Sequence, residues 1–433
     1  MTLGQVTRPE DDGIELQLRD QAGVIVHVIN TWKQYSFNSN FLTPTDGWSF
    51  TLGDEVVKQS LLEGIFCGQR VTLSINGHIQ GDGYIDKVVI GGNRSTGTTV
   101  TIEGRDRLAP VVDGNMDPQA TKFTAGQTLF DVLYAVFSQY GWTDANTQYL
   151  ISNEANRNVI SGAVRGVPAT KKDKPLKSFQ IHQLKPYPAE GSFSFASRIA
   201  QRFGLWIWLS AEGNSIIVSK PDFGQEARYH IRHKTGASGF ANNVLEYHVE
   251  RHAGEQPSVI IATGSGGGGE YGRGGLKVAF PNMLTGITAL GALRPEVQAV
   301  LTANSDAKIV QPTVEALRAL STRALTGVNA NFFGSQHRPM FLHDDESKTI
   351  DQLEAFCRRE MSLKQRGALV AHYTLEGHEN NGYPWCVDTI VEVDDDVAGI
   401  HGNMWVMSRT FTKDRMVGTR TQVELILPYT MEF

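Results

Sequence analysis

A chain of 433 residues is longer than one hydrophobic core sustains, so it divides into two to four domains. With 40% hydrophobic and 20% charged residues and 44 glycines it is globular and turn-rich, which excludes a disordered chain. The formal net charge of −6 lacks the basic excess that phosphate contacts require, which argues against a dedicated nucleic-acid binder while leaving room for a local basic patch.

The first hundred residues read as strands. Residues 13–19 alternate, with Ile14, Leu16 and Leu18 on one side, and 24–29 form a second apolar run. Strands at 48–52, 71–75, 83–90 and 98–103 follow, separated by turn signals, of which Asn76-Gly77 is the hairpin candidate. Short strands at this spacing suggest a small barrel or sandwich. After Gly104-Arg105-Asp106 the pattern changes. Thr124-Ala125-Gly126-Gln127 has the form of a capping box, Leu129, Val132, Leu133, Val136, Phe137 and Tyr140 recur at helical spacing, and Gly141 is the stop. A second helix spans 193–203, with Phe195, Ile199 and Phe203 on one face, and a hairpin pairs 205–209 with 215–219. Between the helices, 153–177 is a polar exposed loop ending in Lys171, Lys172, Asp173 and Lys174.

Strands return at 244–249 and 259–263, before a glycine-rich flexible segment at 264–275. The apolar stretch 276–293 is broken by Lys277, Pro281 and Asn282. It falls short of the roughly 20 apolar residues of a membrane span and reads as a buried or interface segment, with no membrane insertion. Helices are expected at 314–325 and at 350–361, where Ile350, Leu353, Cys357 and Met361 align. The chain then becomes β again, at 370–376, 389–393, 404–412 and 419–427. Residues 1–12 carry no apolar core of a signal peptide. Cys67, Cys357 and Cys386 are too far apart for a metal knuckle and odd in number, which fits synthesis in a reducing compartment.

A weak internal repeat is visible. Gly97-Thr98-Thr99-Val100-Thr101-Ile102-Glu103 parallels Gly418-Thr419-Arg420-Thr421-Gln422-Val423-Glu424, and each follows a strand and a polar turn. The first and last parts of the chain therefore read as two copies of one β-barrel.

The chemical motifs are thin. Residues 264–269 satisfy GxGxxG, but Glu270-Tyr271-Gly272-Arg273-Gly274-Gly275 cannot start the helix whose N-terminus would hold a pyrophosphate, so a loop is expected and no cofactor. Asp394, Asp395 and Asp396 read as a solvated turn between strands, and Asp344, Asp345 and Glu346 as acids before a helix. His230, His233, His248 and His252 form a set whose last two members have helical i,i+4 spacing, but they lie in a strand pattern without HExxH, so no metal site is called. Arg105, Asp106 and Arg107 are candidates for interdomain or intersubunit ion pairs. The competing reading is exposed pairs worth about 0–1 kcal/mol. Trp206 and Trp208, expected on opposite faces of their strand, supply one candidate interface anchor beside a core reading.

Several segments, taken in order, resemble the baseplate hub proteins of Mu-like contractile phage tails. They are Gly83-Tyr84-Ile85-Asp86, residues 102–113, Gly126 through Leu133, the block 194–219, Arg358-Arg359, Leu375-Glu376-Gly377, and the closing strands 387–393, 404–412 and 418–427. The departure lies at about 264–340. The resemblance implies an α+β, mainly β chain. A first β-barrel spans 1–112, and an α+β region with two helices and a hairpin spans 113–230. Strands at 231–263 join the second barrel, 264–345 is a partly helical insertion, and 346–433 hold a helix and the second barrel. It further implies a homotrimeric torus that joins the hexameric tail tube to the trimeric central spike. The lumen would hold the end of the tape-measure protein and pass DNA as cargo, and other baseplate proteins would be partners. Such a chain is a non-enzymatic component of the virion tail baseplate, made in the host cytoplasm. The related VgrG proteins continue into a needle, so with Phe433 close behind the last strand the spike is expected to be a separate protein. The alternatives are a cell-wall hydrolase of the tail, for which no catalytic constellation is evident, and a host glycan-binding module.

Overall fold

The computed structural model describes residues 12–52, 64–93, 97–117, 129–142, 148–151, 185–201, 204–236, 242–265, 275–287, 292–311, 337–345, 347, 349–414 and 418–431. The first unit contains β1 (Ile14–Arg19), β2 (Ile25–Ile29), β3 (Gln34–Asn40), β4 (Gly47–Leu52), β5 (Arg70–Ile75), β6 (His78–Asn93) and β7 (Gly97–Asp106). Its hydrogen-bonded order is β3-β4-β7-β6-β5-β1-β2, antiparallel throughout. Period-two burial drives it: Ile14, Leu16 and Leu18 of β1 and Phe50 and Leu52 of β4 lie inside, with polar neighbours between them. The β5–β6 turn forms at Asn76 (φ +48°) and Gly77 (φ +82°), the positive-φ pair that a two-residue hairpin requires.

A helical region follows, with α1 (Ala109–Asp113), α2 (Leu129–Phe137), β8 (Gln148–Ile151), α3 (Ser192–Gln201), β9 (Trp206–Leu209) and β10 (Ser215–Ser219). The apolar stripe of α2 (Leu129, Val132, Leu133, Val136 and Phe137) is fully buried with Phe195 and Ile199 of α3 and with Ile216 and Val218 of β10. Each such side chain contributes roughly 1.5–3 kcal/mol. The helix tightens into a 3-10 turn and stops at Gly141, whose φ of +81° supplies the left-handed cap. The expected capping box, Phe203 and the loop at 153–177 lie outside the described residues.

The next strands are β11 (Tyr229–His233), β12 (Val244–Arg251), β13 (Val259–Gly264) and β14 (Leu276–Pro281). Then come α4 (Pro295–Ala303), β15 (Lys308–Ile309), β16 (Pro339–Asp344) and α5 (Ile350–Gln365). Here the structure departs from the expected organisation. Residues 259–263 do not join a second barrel; β13 sits inside a separate sheet ordered β15-β14-β13-β16. That sheet is covered on both faces. Leu353, Cys357 and Met361 of α5 pack on Ile260, Ala262 and Val278, while Val297 and Leu301 of α4 pack on Val259, Ile261 and Ala279. Burial on both faces is why β13 reads as an unbroken apolar run. The side-chain oxygen of Thr349 caps α5 by accepting from the Gln352 amide at 3.3 Å. The helix expected at 314–325 lies outside the described residues.

The chain ends with β17 (Leu369–Glu376), β18 (Glu379–Asn380), β19 (Tyr383–Pro384), β20 (Ile390–Asp395), β21 (Ile400–Asp414) and β22 (Gly418–Ile426). Their order is β12-β17-β22-β21, with β20 beside β21 and β11 parallel to β20. Because β21 also pairs with β3, both units belong to one 13-stranded sheet. The expected mainly β, α+β architecture is therefore present. Closure into two separate barrels is not seen among the described residues, since β3 is used to join the units. No helix among the described residues is long and apolar enough to cross a membrane.

Candidate assembly interface

The two β units repeat one another strand for strand. In chain order, β3, β4, β5, β6 and β7 correspond to β12, β17, β20, β21 and β22, and both sets hydrogen-bond in the same spatial order, 3-4-7-6-5 and 12-17-22-21-20. The register agrees as well. Glu103 lies between Ser49 and Lys87, as Glu424 lies between His372 and Ser408. Each long hairpin carries a bulge at the same point, between Ile85 and Lys87 in one and between Val406 and Ser408 in the other. Carried outward, this register makes Tyr35 equivalent to Tyr247, through Phe50 and Tyr373.

The units meet where β3 pairs antiparallel with β21, from Asn40 opposite Ser408 to Tyr35 opposite Lys413. Phe37 and Phe411 face each other across this seam with ring centroids 6.3 Å apart. The Arg409 guanidinium stacks on both, at 4.6 Å from Phe37 and 4.1 Å from Phe411. Arg409 is only 2% exposed, and its Nε and Nη1 have no hydrogen-bond partner among the described residues. Burial holds its pKa below the ordinary arginine value. At the other end of the seam, Tyr35 Oη lies 2.6 Å from Nε2 of buried His378, whose Nδ1 is 3.1 Å from Thr421 Oγ1. The Thr421 hydroxyl donates to the Gly377 carbonyl, so Nδ1 carries the imidazole proton and Nε2 accepts from the tyrosine. Burial lowers the His378 pKa to about 3 and keeps the ring neutral.

The residues singled out in the sequence fall beside this seam, at the junction with the helical region. Arg105 bridges Asp86 at 2.6 Å and Asp113 at 2.7 Å on the surface. Asp106 is buried and accepts from the backbone amides of Asp46 (2.7 Å) and Leu108 (2.8 Å). Its pKa is raised well above the usual value by burial and by the neighbouring Asp46 carboxyl. Buried Arg107 lies 4.1 Å over the Trp142 ring and 3.8 Å from Asp82, tying the first unit to the helical core. Trp206 and Trp208 do not point to opposite faces of β9. Residues two apart in a strand share a face, and both rings meet Phe41, at 5.6 Å and 4.9 Å.

The acidic and histidine clusters have internal partners. Lys234 Nζ lies between Asp394 (2.5 Å) and Asp396 (3.0 Å), with His401 on Asp394 at 2.8 Å. Asp394, Asp396 and His401 have the spacing of a cation site, and the Lys234 ammonium lies between the two carboxylates. His248 of β12 and His252 just after it each meet Glu250 at 2.9 Å, while His230 and His233 meet Glu392 and Asp395. Lys171, Lys172 and Lys174 lie outside the described residues.

Among the described residues the outer edges of β2 and β12 pair with no further strand, and residues 87–92 of β6 pair with β7 alone. All three carry exposed apolar side chains: Val26 at 44% and Val28 at 52%, Leu245 at 47% and Tyr247 at 46%, and Val89 at 40% and Ile90 at 58%. Unpaired apolar edges are templates for strand addition.

Comparison with known proteins places this architecture. Residues 24–106 match the family described as Mu phage baseplate assembly protein GpP-like, N-terminal. No curated protein matches the chain by sequence. Among solved structures, a tail protein from Neisseria meningitidis is 17% identical, with a TM-score of 0.66, covering 97% of this chain and 98% of its own. The 43 kDa tail protein of prophage MuSo2 from Shewanella oneidensis is 16% identical, with a TM-score of 0.65, covering 98% of this chain and 100% of its own. Prophage tail protein gp18 from Listeria monocytogenes is 7% identical, with a TM-score of 0.50, over 96% of this chain and 94% of its own. At these identities the likeness is one of fold. The resemblance to Mu-like baseplate proteins read from the sequence is borne out.

Proposed function

We propose that the chain is the baseplate hub of a contractile phage tail or of a phage-tail-like injection particle, a structural component whose work is geometric. The observation that carries this reading is the duplicated unit held in one continuous sheet. A ring of three such chains presents six like units to a hexameric tail tube and keeps three-fold symmetry for a trimeric central spike. Its lumen admits the end of the tape-measure protein and passes DNA or effectors as cargo. Other baseplate proteins dock outside, where the β13–β16 sheet and α5 offer a separate layer. In this reading Arg105, Asp106 and Arg107 fix the angle between the first unit and the helical region, and Trp206 and Trp208 with Phe41 brace the seam. The protein is made in the host cytoplasm and resides in the tail baseplate.

The test is loss and restoration of the particle. Deleting the gene from its particle-producing strain should leave tubes without a joined spike by electron microscopy, and the gene supplied in trans should restore them. Complete, spike-bearing tails in the deletion strain would contradict the proposal.

A further inference from the structure

The sheet gathers imidazoles that the sequence keeps apart. His248 and Glu250 lie two apart in β12 and so share a face. His372 of β17 stands directly opposite His248 in the antiparallel register, on that same face, with the two ring centroids 6.0 Å apart. His252 follows the end of β12 and turns back to the same carboxylate. Nε2 of His248 lies 2.9 Å from Oε1 of Glu250, and Nε2 of His252 lies 2.9 Å from Oε2. Three imidazoles and a carboxylate are thus brought to one patch.

The surroundings leave this carboxylate without a permanent cation. Glu246, the preceding residue on the face, is met by Arg420 at 3.3 Å. Among the described residues Glu250 pairs only with the two histidines, and a neutral imidazole offers it a hydrogen bond but no charge. At Asp394, Asp396 and His401, by contrast, an ammonium already lies between the carboxylates. The side chains of His248, Glu250 and His252 are 69%, 42% and 59% exposed, so an ion reaches them from solvent and their rotamers are free to adjust.

We propose that His248, Glu250, His252 and His372 form a binding site for a divalent transition-metal ion of the zinc type. Imidazole nitrogen with carboxylate oxygen is a donor set of such ions, whereas magnesium and calcium favour oxygen alone. Bonds of about 2.0–2.2 Å put neighbouring nitrogen and oxygen donors of one ion about 3 Å apart, and two imidazole centroids about 5–6 Å apart. The distances of 2.9 Å and 6.0 Å already have this scale. Binding takes the Nε2 lone pairs of His248 and His252, so each neutral ring carries its proton on Nδ1 instead. Glu424, opposite His372 on β22, supplies a further carboxylate in the same row for orienting that ring. Because His372 comes from the neighbouring strand, the ion staples β12, at the end of the sheet, to β17. The site stands on this geometry alone and is independent of the hub reading.

The test is Zn²⁺ titration of the full chain, without a histidine tag and stripped by a chelator, followed by calorimetry. The expected result is one ion per chain, with affinity reduced at least about tenfold by His248→Ala and by His372→Ala and unchanged by His401→Ala. Zn²⁺ should also raise the thermal midpoint, and His372→Ala should abolish that rise. Absence of saturable binding, or binding that survives His248→Ala and His372→Ala together, overturns the site. Loss of binding with His401→Ala alone assigns the ion to the aspartate cluster and overturns it too. On the unaltered chain, electron paramagnetic resonance with one equivalent of Cu²⁺ supplies a second reading. Hyperfine splitting from more than one imidazole nitrogen is expected, and splitting from one or none overturns the site.

Discussion

The hydroxyl of Tyr35 lies 2.6 Å from Nε2 of His378, a bond between residues 343 positions apart that ties the first β unit to the second. Replacing Tyr35 by Phe removes the donor and leaves a buried ring nitrogen unsatisfied, which costs about 1–3 kcal/mol. The expected result is a lower midpoint of urea unfolding with an unchanged slope, since the exposed surface is the same.

The same histidine gives an acid response. Its folded pKa of about 3 lies below the ordinary 6.5, so the unfolded chain takes up a proton that the folded chain refuses. Stability therefore falls as pH drops below about 6.5 and continues to fall toward pH 3. His378→Gln should flatten that part of the stability-against-pH curve, measured by chemical unfolding at each pH.

Asp388 acts in the opposite direction. Burial raises its pKa to about 8, and Trp405 Nε1 donates to its Oδ1 at 3.0 Å. The folded chain keeps a proton that the unfolded chain releases near pH 4, so stability declines as pH rises from about 4 to about 8. Asp388→Asn retains the acceptor and tolerates the φ of +56°. It should remove the decline, leaving stability at pH 8 closer to that at pH 5.

Arg105 and Asp106, adjacent in sequence, should respond very differently. Arg105→Ala breaks a surface pair of ion contacts and costs about 1 kcal/mol or less. Asp106→Ala strands the amides of Asp46 and Leu108 and costs about 2–4 kcal/mol. Thermal unfolding of the two variants side by side measures the difference.

Arg409 provides a test of how the seam tolerates a buried charge. Arg409→Ala opens a cavity between Phe37 and Phe411 and should cost about 3 kcal/mol or more. Arg409→Met keeps the packing without the desolvated guanidinium and should cost much less. Denaturant midpoints of the two variants distinguish packing from charge.

Much of the fold was legible because its signals are local. The stripe of α2 from Leu129 to Phe137, the Asn76-Gly77 hairpin and the Leu353, Cys357 and Met361 face of α5 each declare themselves within a dozen residues. The repeat showed faintly in Gly97–Glu103 and Gly418–Glu424, where a shared Gly-Thr start and a shared glutamate survive. What failed was partnership. The strand that joins the units, β3, reads Gln-Tyr-Ser-Phe-Asn-Ser-Asn, and its serines and asparagines mask the inward alternation of Tyr35, Phe37 and Ser39. Its partner across the seam lies some 370 positions away, which no window sees. The sheet that α5 covers was hidden for the same reason. Its outer strand β16 arrives about 75 residues after β13. Arg409 and His378 are ordinary polar residues in sequence, and it is burial at the seam that makes them distinctive.

The central claim is that three copies of this two-unit chain form the hub, and absolute mass by light scattering tests it most directly. The purified chain, alone or mixed with the spike protein of the same particle, should give a particle of three times 47.6 kDa or a stable three-to-three complex. A chain that stays at 47.6 kDa in both conditions would contradict the account.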